Sequence, residues 1–220
     1  MSQDAIGLLA SFAYVFLMIA VGEGLRRSRG YAVDFTRKFI HIAVGTWAYG
    51  SVLLFESRTM AMIPPLGFVL INAISYRWDI FKAMELGQKG KLGTVYFPLS
   101  FAVLIWFLWD QPHLLVAALM PMTWGDALAA VVGGRWGRNR YTIAGSTRSA
   151  EGSLTMLFAA WIATAIPLLV LATPAIEPLA AVGAAALVAV AATGVEALSP
   201  WGIDNLTVPA VSALVLVALL

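Results

Sequence analysis

The sequence predicts an all-α, polytopic helical bundle embedded in lipid, and three observations lead to it. Of 220 residues, 60% are hydrophobic, and the mean hydropathy is +0.84. Charged residues make up 12%, about half the share usual in soluble domains, which is too few to coat a globule of this size with polar surface. The apolar residues also fall into long runs parted by short polar segments, and a helix needs roughly 17–25 apolar residues to cross ~30 Å of hydrocarbon.

Eight runs qualify, at about 5–24, 39–55, 60–75, 94–109, 113–132, 153–172, 178–194 and 206–220. Several are short, and the last holds only fifteen residues, so the count is seven or eight, with eight preferred. The whole chain, 1–220, then forms a single membrane domain. The first run lacks a positive leader and an A-x-A cleavage site, and is expected to be a retained span rather than a secretory signal.

Charge sorting sets the orientation. Arg26, Arg27, Arg29, Arg37 and Lys38 follow the first run, and Arg77, Lys82, Lys89 and Lys91 follow the third. Arg135, Arg138, Arg140 and Arg148 follow the fifth, and only Arg58 lies in an even-numbered loop. Thirteen basic residues against one put the odd loops in the cytoplasm and both termini outside. Expected cytoplasmic functional loops are about 25–38, 76–93, 133–152 and 195–205. The elaborate sequence sits on that one face, which suits a one-sided enzyme. A small transporter or flippase, the rival from another class, needs polar groups reachable from both sides.

Other chemistries fall away. With no Cys and only His41 and His113, thiolate chemistry and a His-rich transition-metal site are not expected. His113, beside Pro112 in an outer loop, reads as structural. No nucleic-acid partner is expected. The small residues of 180–194 would allow close helix packing within the chain or in an oligomer.

Three segments carry candidate chemistry. In WGDALAAVVGGRWGRNR, Asp126 sits within an apolar run, where a carboxylate costs roughly 2.5–3.5 kcal/mol and needs a partner, a proton or a cation. Gly133, Gly134 and Gly137 free the backbone to aim N–H groups at an anion. Arg135, Arg138 and Arg140 bring fork-shaped donors suited to phosphate oxygens, although a Gly–Arg loop is also an ordinary cytoplasmic helix end. In TRSAEGS, Ser149, Glu151, Gly152 and Ser153 open the sixth run either as a plain cap or, with Arg148, as a phosphate site at a helix N-terminus. In EALSPWGIDNLTVPA, Glu196, Asp204 and Asn205 reach the same membrane surface. Asp204 and Asp126 could converge there on Mg²⁺ or on a hydroxyl. Accessory candidates are Arg37, Lys38 and His41 at the start of the second run, Lys91 and Gly93 entering the fourth, and Glu196 in the seventh loop.

Taken in order, RKFIH, GTVYFPLS, WGDALAAVVGGRWGR, TRSAEGS and EALSPWGIDNLTVP resemble the dolichol kinase / phytol kinase / CTP-dependent diacylglycerol kinase family. That family is distantly similar to the phosphatidate cytidylyltransferases, and the resemblance covers about 35–210. It implies phosphoryl transfer from a nucleoside triphosphate, commonly CTP with UTP or ATP as alternatives, to a lipid alcohol such as phytol, farnesol, a polyprenol or diacylglycerol. By the resemblance, Asp126 is the acid of the Gly-Asp motif that binds metal–nucleotide. Gly133, Gly137 and Arg138 match the glycine–basic segment, Ser149 to Ser153 the Ser-x-Glu-Gly-Ser motif, and Asp204 with Asn205 the Asp-Asn pair. Arg148 stands where such proteins often carry Lys. Mg²⁺ held by Asp126 and Asp204, nucleotide held by Arg135, Arg138, Arg148, Ser149, Gly152, Ser153 and Asn205, and Glu151 or Asp204 as base are the resulting expectations. A cytidylyltransferase, attacking the α-phosphate instead, is the rival among enzymes.

Overall fold

The computed structural model describes residues 2–78, 80–81 and 92–220, so Lys82, Lys89 and Lys91 lie outside the described residues. The chain is an all-α membrane bundle, and each of the eight apolar runs becomes helix. α1 is Gln3–Arg29, capped by Ser2 and ended by Gly30 in the left-handed conformation, as helix termini prefer. α2 (Val33–Thr46) and α3 (Ala48–Leu54) divide the second run at Trp47. There, a tight Trp47 N–H to Val44 carbonyl bond replaces the regular ladder. α4 (Arg58–Trp78) and α5 (Gly93–Leu108) follow.

The fifth run is the most buried. It comprises α6 (Pro112–Met120), a π-helical segment over Pro121–Asp126, and α7 (Ala127–Trp136). From Leu114 to Met120 every residue is buried, which makes this run the axis of the bundle. The π segment widens the helix by one residue per turn, a distortion frequent at functional sites, and it ends on Asp126. α8 (Ala150–Val170), α9 (Pro178–Leu198) and α10 (Asp204–Leu219) complete the bundle.

Among the described residues, five helical stretches are long and apolar enough to cross a membrane by length and composition alone. α5 and α10 are shorter apolar helices. Leu70, Phe107, Phe158, Val190 and Leu214 stand exposed on the outer surface, where hydrocarbon rather than water is the fitting neighbour.

One element departs from the expected loop. Arg140–Ile143 (β1) pairs antiparallel with Ser146–Ser149 (β2), Arg140 facing Ser149. The two-residue turn, Ala144 and Gly145, has positive φ at both positions (48° and 76°), the geometry that fits strand twist in a tight hairpin.

One helix-interior proline is compensated by a side chain. Pro98 cannot donate to the Thr94 carbonyl, and Asn72 Nδ2 from α4 donates to it instead at 2.8 Å. This bond ties α4 to α5 near the cytoplasm-facing end expected from the charge pattern.

Candidate active site

Asp126 is brought to a partner by close packing of α2 on the π segment. A side chain at Gly45 would overlap Thr123, so only glycine lets the two backbones approach this far. One turn and more toward the start of α2, His41 Nε2 reaches the Met122 carbonyl at 2.9 Å, and Lys38 Nζ reaches Asp126 Oδ2 at 2.5 Å. Lys38 and Asp126 are both buried. His41 Nε2 lies 3.9 Å from the same carboxylate oxygen.

A second ion pair sits beside the first. The hairpin ends in Arg148 and then Ser149, whose hydroxyl accepts from Gly152 N–H at 3.1 Å and caps α8. This fixes Arg148 against the ends of α9 and α10. Arg148 Nε lies 3.0 Å from Glu196 Oε1, and its Nη2 lies 3.5 Å from Asp204 Oδ2. The same Nη2 donates to the Glu196 and Ser199 carbonyls, each at 3.3 Å. Asp204 Oδ1 accepts from the Asn205 backbone and side-chain amides at 3.0 and 2.9 Å.

The outcome is a trio of buried carboxylates, Asp126, Glu196 and Asp204, each with one oxygen within 4.8 Å of the others. Three carboxylates face two cations, Lys38 and Arg148, so one carboxylate is left to be matched by a proton or a cation. Burying such a group is costly unless every charge is compensated, so the cluster holds capacity for a further cation.

Two cavities meet at this cluster. The larger, of about 500 Å³, has Lys38, His41, Asp126, Arg148, Asp204 and Asn205 at its polar end and continues between α1, α2, α4 and α5. The smaller, of about 250 Å³, is lined by Gly133, Gly134, Arg140, Ser149, Gly152, Ser153 and Glu196. Asp126, Thr147 and Arg148 border both. A backbone cradle forms the smaller cavity's wall: a side chain at Gly133 or Gly152 would press on Ser149 and on the facing glycine.

The expected residues therefore separate. Asp126, Gly133, Arg148, Ser149, Gly152, Ser153, Asp204 and Asn205 are brought together, with Arg37, Lys38, His41 and Gly93 along the larger cavity. Glu196, expected only as an accessory, stands in the trio itself. Glu151 is not part of it: its carboxylate accepts from the Asn139 backbone at 3.2 Å and side chain at 3.0 Å, fixing the segment ahead of β1. Arg135 and Arg138 are exposed and border neither cavity. Arg135 lies over the Trp136 ring, 5.2 Å from its centroid. Gly137 packs its backbone on Ser149. Arg37 pairs with Asp34 at 3.2 Å. Lys91 lies outside the described residues.

Arg140, one of the three expected phosphate donors, lines the smaller cavity, whereas Thr147, Asn72 and Thr94, which carry no role in the sequence expectations, also border a cavity. A signal existed for one of them, since a lone Asn72 inside an apolar run needs a partner.

The chain is 35% identical over 213 residues to a phytol kinase of Synechocystis sp. (strain ATCC 27184 / PCC 6803 / Kazusa), a match covering 96% of this chain and 89% of that protein. It is 26% identical over 227 residues to a probable phytol kinase 2, chloroplastic, of Glycine max, covering 97% and 75%. It is 25% identical over 178 residues to a probable phytol kinase 1, chloroplastic, of Oryza sativa subsp. japonica, covering 76% and 56%. No family model and no solved structure matches the chain.

Proposed function

The chain belongs to the phytol kinase family, and from that premise we propose that it moves the γ-phosphoryl group of CTP onto the hydroxyl of a membrane-held lipid alcohol, with UTP or ATP as alternative donors. One observation carries this reading beyond the relatives' names: a cavity running into the bundle and a glycine-lined cavity share a wall made of Asp126, Ala130, Thr147 and Arg148. A group transfer between a lipid and a polyphosphate needs such a meeting point, because it relies mainly on alignment and charge stabilisation.

In this reading the smaller cavity takes the phosphates. Its glycine-walled backbone and the α8 N-terminus face them, and Arg148 and Arg140 neutralise their charge. The donor set also fits Mg²⁺, a hard cation that prefers carboxylate oxygen. Asp126 and Glu196, which border the smaller cavity, would hold it, and Asp204 would complete the carboxylate shell from the other side. Bound there, Mg²⁺ would supply charge neutralisation at the phosphate oxygens.

The lipid hydroxyl enters from the larger cavity. Asp204 borders that cavity and not the smaller one, so it is the carboxylate placed to accept the hydroxyl proton. The hydroxyl oxygen forms a bond to the γ-phosphorus, the bond from that phosphorus to the β-phosphate bridging oxygen breaks, and the nucleoside diphosphate leaves. Lys38 holds Asp126 in place before the donor arrives. The positive-inside pattern supports a cytoplasmic face for this chemistry, where nucleotide is available.

The test uses purified protein, a lipid alcohol in detergent, Mg²⁺ and CTP labelled at the γ-phosphate. Label on the lipid is the expected result. Label released as diphosphate would instead mark a cytidylyltransferase.

A further inference from the structure

Resting on that kinase reading, we propose that the larger cavity is a single-tail acceptor pocket of limited length, with Trp47 at its deep end as the residue that sets chain-length specificity. The cavity's polar end is at Lys38, Asp126 and Asp204, and the lining residues that lie farthest from it along their helices are Ser11, Trp47, Ser51, Pro64 and Phe101. Between the ends it is lined by Val15, Ile19, Val44, Phe68 and Phe97. The polarity therefore changes along its length from charged to aromatic and aliphatic, as a hydroxyl-headed hydrocarbon requires.

Two measures of size agree on one tail. Trp47 follows Lys38 by nine residues along α2, or about 13 Å at ~1.5 Å per residue. An extended chain advances roughly 1.2 Å per bond, taking a third of the ~3.3–3.6 Å covered by three backbone bonds, so about eleven bonds fit between the two. By volume, about 500 Å³ at the ~30 Å³ share of a water-sized group holds roughly seventeen non-hydrogen atoms. A prenol of farnesol size, with about sixteen non-hydrogen atoms, fills this space and brings its tail end to Trp47, and one of geranylgeraniol or phytol size, with about twenty-one, must fold its last unit against the indole. A two-tailed diacylglycerol exceeds the space, and a long polyprenol must pass the indole.

The indole is held as a fixed stop. Its Nε1 donates to Ser11 Oγ at 2.9 Å, and its ring stacks on Tyr14 with centroids 4.6 Å apart. The ring also lies against Gly50, where a Cβ would meet it. Tyr14 is fixed in turn, its hydroxyl donating to the Ala43 carbonyl at 2.9 Å. These contacts tie α1 to the break between α2 and α3, so the irregularity at Trp47 turns a large side chain into the cavity floor. At the other end Asn72 Oδ1, Thr94 Oγ1 and Asn205 Oδ1 are buried and have no hydrogen-bond partner among the described residues. All three residues border the cavity, and these oxygens can receive a hydroxyl or water that accompanies the lipid head.

The experiment has a turnover arm and a binding arm. In the first, kcat/KM is measured for farnesol, geranylgeraniol, solanesol and dioleoylglycerol with the wild type, Trp47→Ala and Trp47→Phe. The wild type is expected to favour the first two alcohols. The solanesol-to-farnesol ratio should rise about tenfold or more in Trp47→Ala, within the ~10–200-fold range that shape changes in an apolar pocket give, and by less in Trp47→Phe. An unchanged ratio in folded variants, or a wild type that prefers dioleoylglycerol, overturns the proposal. In the second arm, wild-type protein is irradiated with farnesol carrying a diazirine at its tail end, and the labelled peptides are sequenced. Labelling on Ser11, Trp47 or Ser51 that geranylgeraniol competes away supports the pocket even where no phosphate is transferred, a result that would sink the kinase reading alone. Labelling confined to the outer faces of α9 and α10 overturns the pocket. Should Trp47→Ala not fold, Trp47→Phe and the labelling arm decide.

Discussion

Replacing Lys38 with Met removes one charge from a buried pair while keeping most of the side chain's bulk. Lys38 Nζ and Asp126 Oδ2 are 2.5 Å apart, and each side chain is 9% exposed. At an effective dielectric constant of ~20, unit charges ~4 Å apart interact by about 4 kcal/mol. Breaking a buried pair by removing one partner typically costs about 3–5 kcal/mol, because the remaining charge is left uncompensated. Lys38→Met is therefore expected to destabilise the protein by about 3–4 kcal/mol, or roughly 10 °C in thermal midpoint for a chain of this size. The double variant Lys38→Met with Asp126→Leu should recover most of that loss, since a well-packed apolar pair commonly matches a buried ion pair. Unfolding of the detergent-solubilised protein, followed by tryptophan fluorescence, provides the cycle. A double variant whose loss equals the sum of the two single losses would refute the reasoning, because the two charges would then be independent.

Other expectations follow from the same geometry. Glu196→Gln should lower kcat for lipid phosphorylation about 100–1000-fold, the scale of removing a charge-stabilising group. Glu151→Gln should lower it less than about tenfold, since the Glu151 carboxylate is bonded to Asn139 and stands apart from the carboxylate trio; equal losses in a turnover assay would place Glu151 in the site. Arg148→Lys replaces a fork that reaches Glu196, Asp204 and two carbonyls by a single ammonium. It should raise the nucleotide KM about tenfold with a smaller change in kcat, and an unchanged KM would remove Arg148 from the phosphate site. Asn72→Ala strips the donor from the Thr94 carbonyl and should cost about 1–3 kcal/mol in thermal unfolding; no loss would mean that another group serves that carbonyl.

The spans were readable because lipid imposes a simple rule, that a crossing helix is apolar for most of its length. The interruptions were less so. Trp47 breaks the second run without a Gly or Pro at that position, so nothing local announces it. The hairpin turn is Ala144-Gly145 rather than the usual Asn-Gly, and its four-residue strands are mostly polar, so periodicity could not separate them from a loop. In PMTWGD, Pro121 and Gly125 hinted at irregular helix, but not at a π segment ending on Asp126.

The site divides in the same way. Asp126, Asp204 and the Ser149–Ser153 segment stood out because polar groups at membrane depth need a reason. Their partners did not stand out: Lys38 meets Asp126 across 88 residues, and Glu196 meets Arg148 across 48. Such pairings depend on how helices pack, which a single sequence does not display. Glu151 entered the expected site as part of the Ser-x-Glu-Gly-Ser resemblance. Two residues at the start of a helix, about 200° of rotation, are enough to send the two side chains different ways, Ser149 to the helix cap and Glu151 to Asn139.

The central claim is that donor and acceptor approach Asp126 and Arg148 from two cavities and react directly, with both bound. Initial rates measured over a grid of CTP and farnesol concentrations test this most directly. Double-reciprocal lines that intersect, as a ternary complex requires, are the expected result. Parallel lines, the fingerprint of a covalent phospho-enzyme formed before the lipid enters, would contradict it.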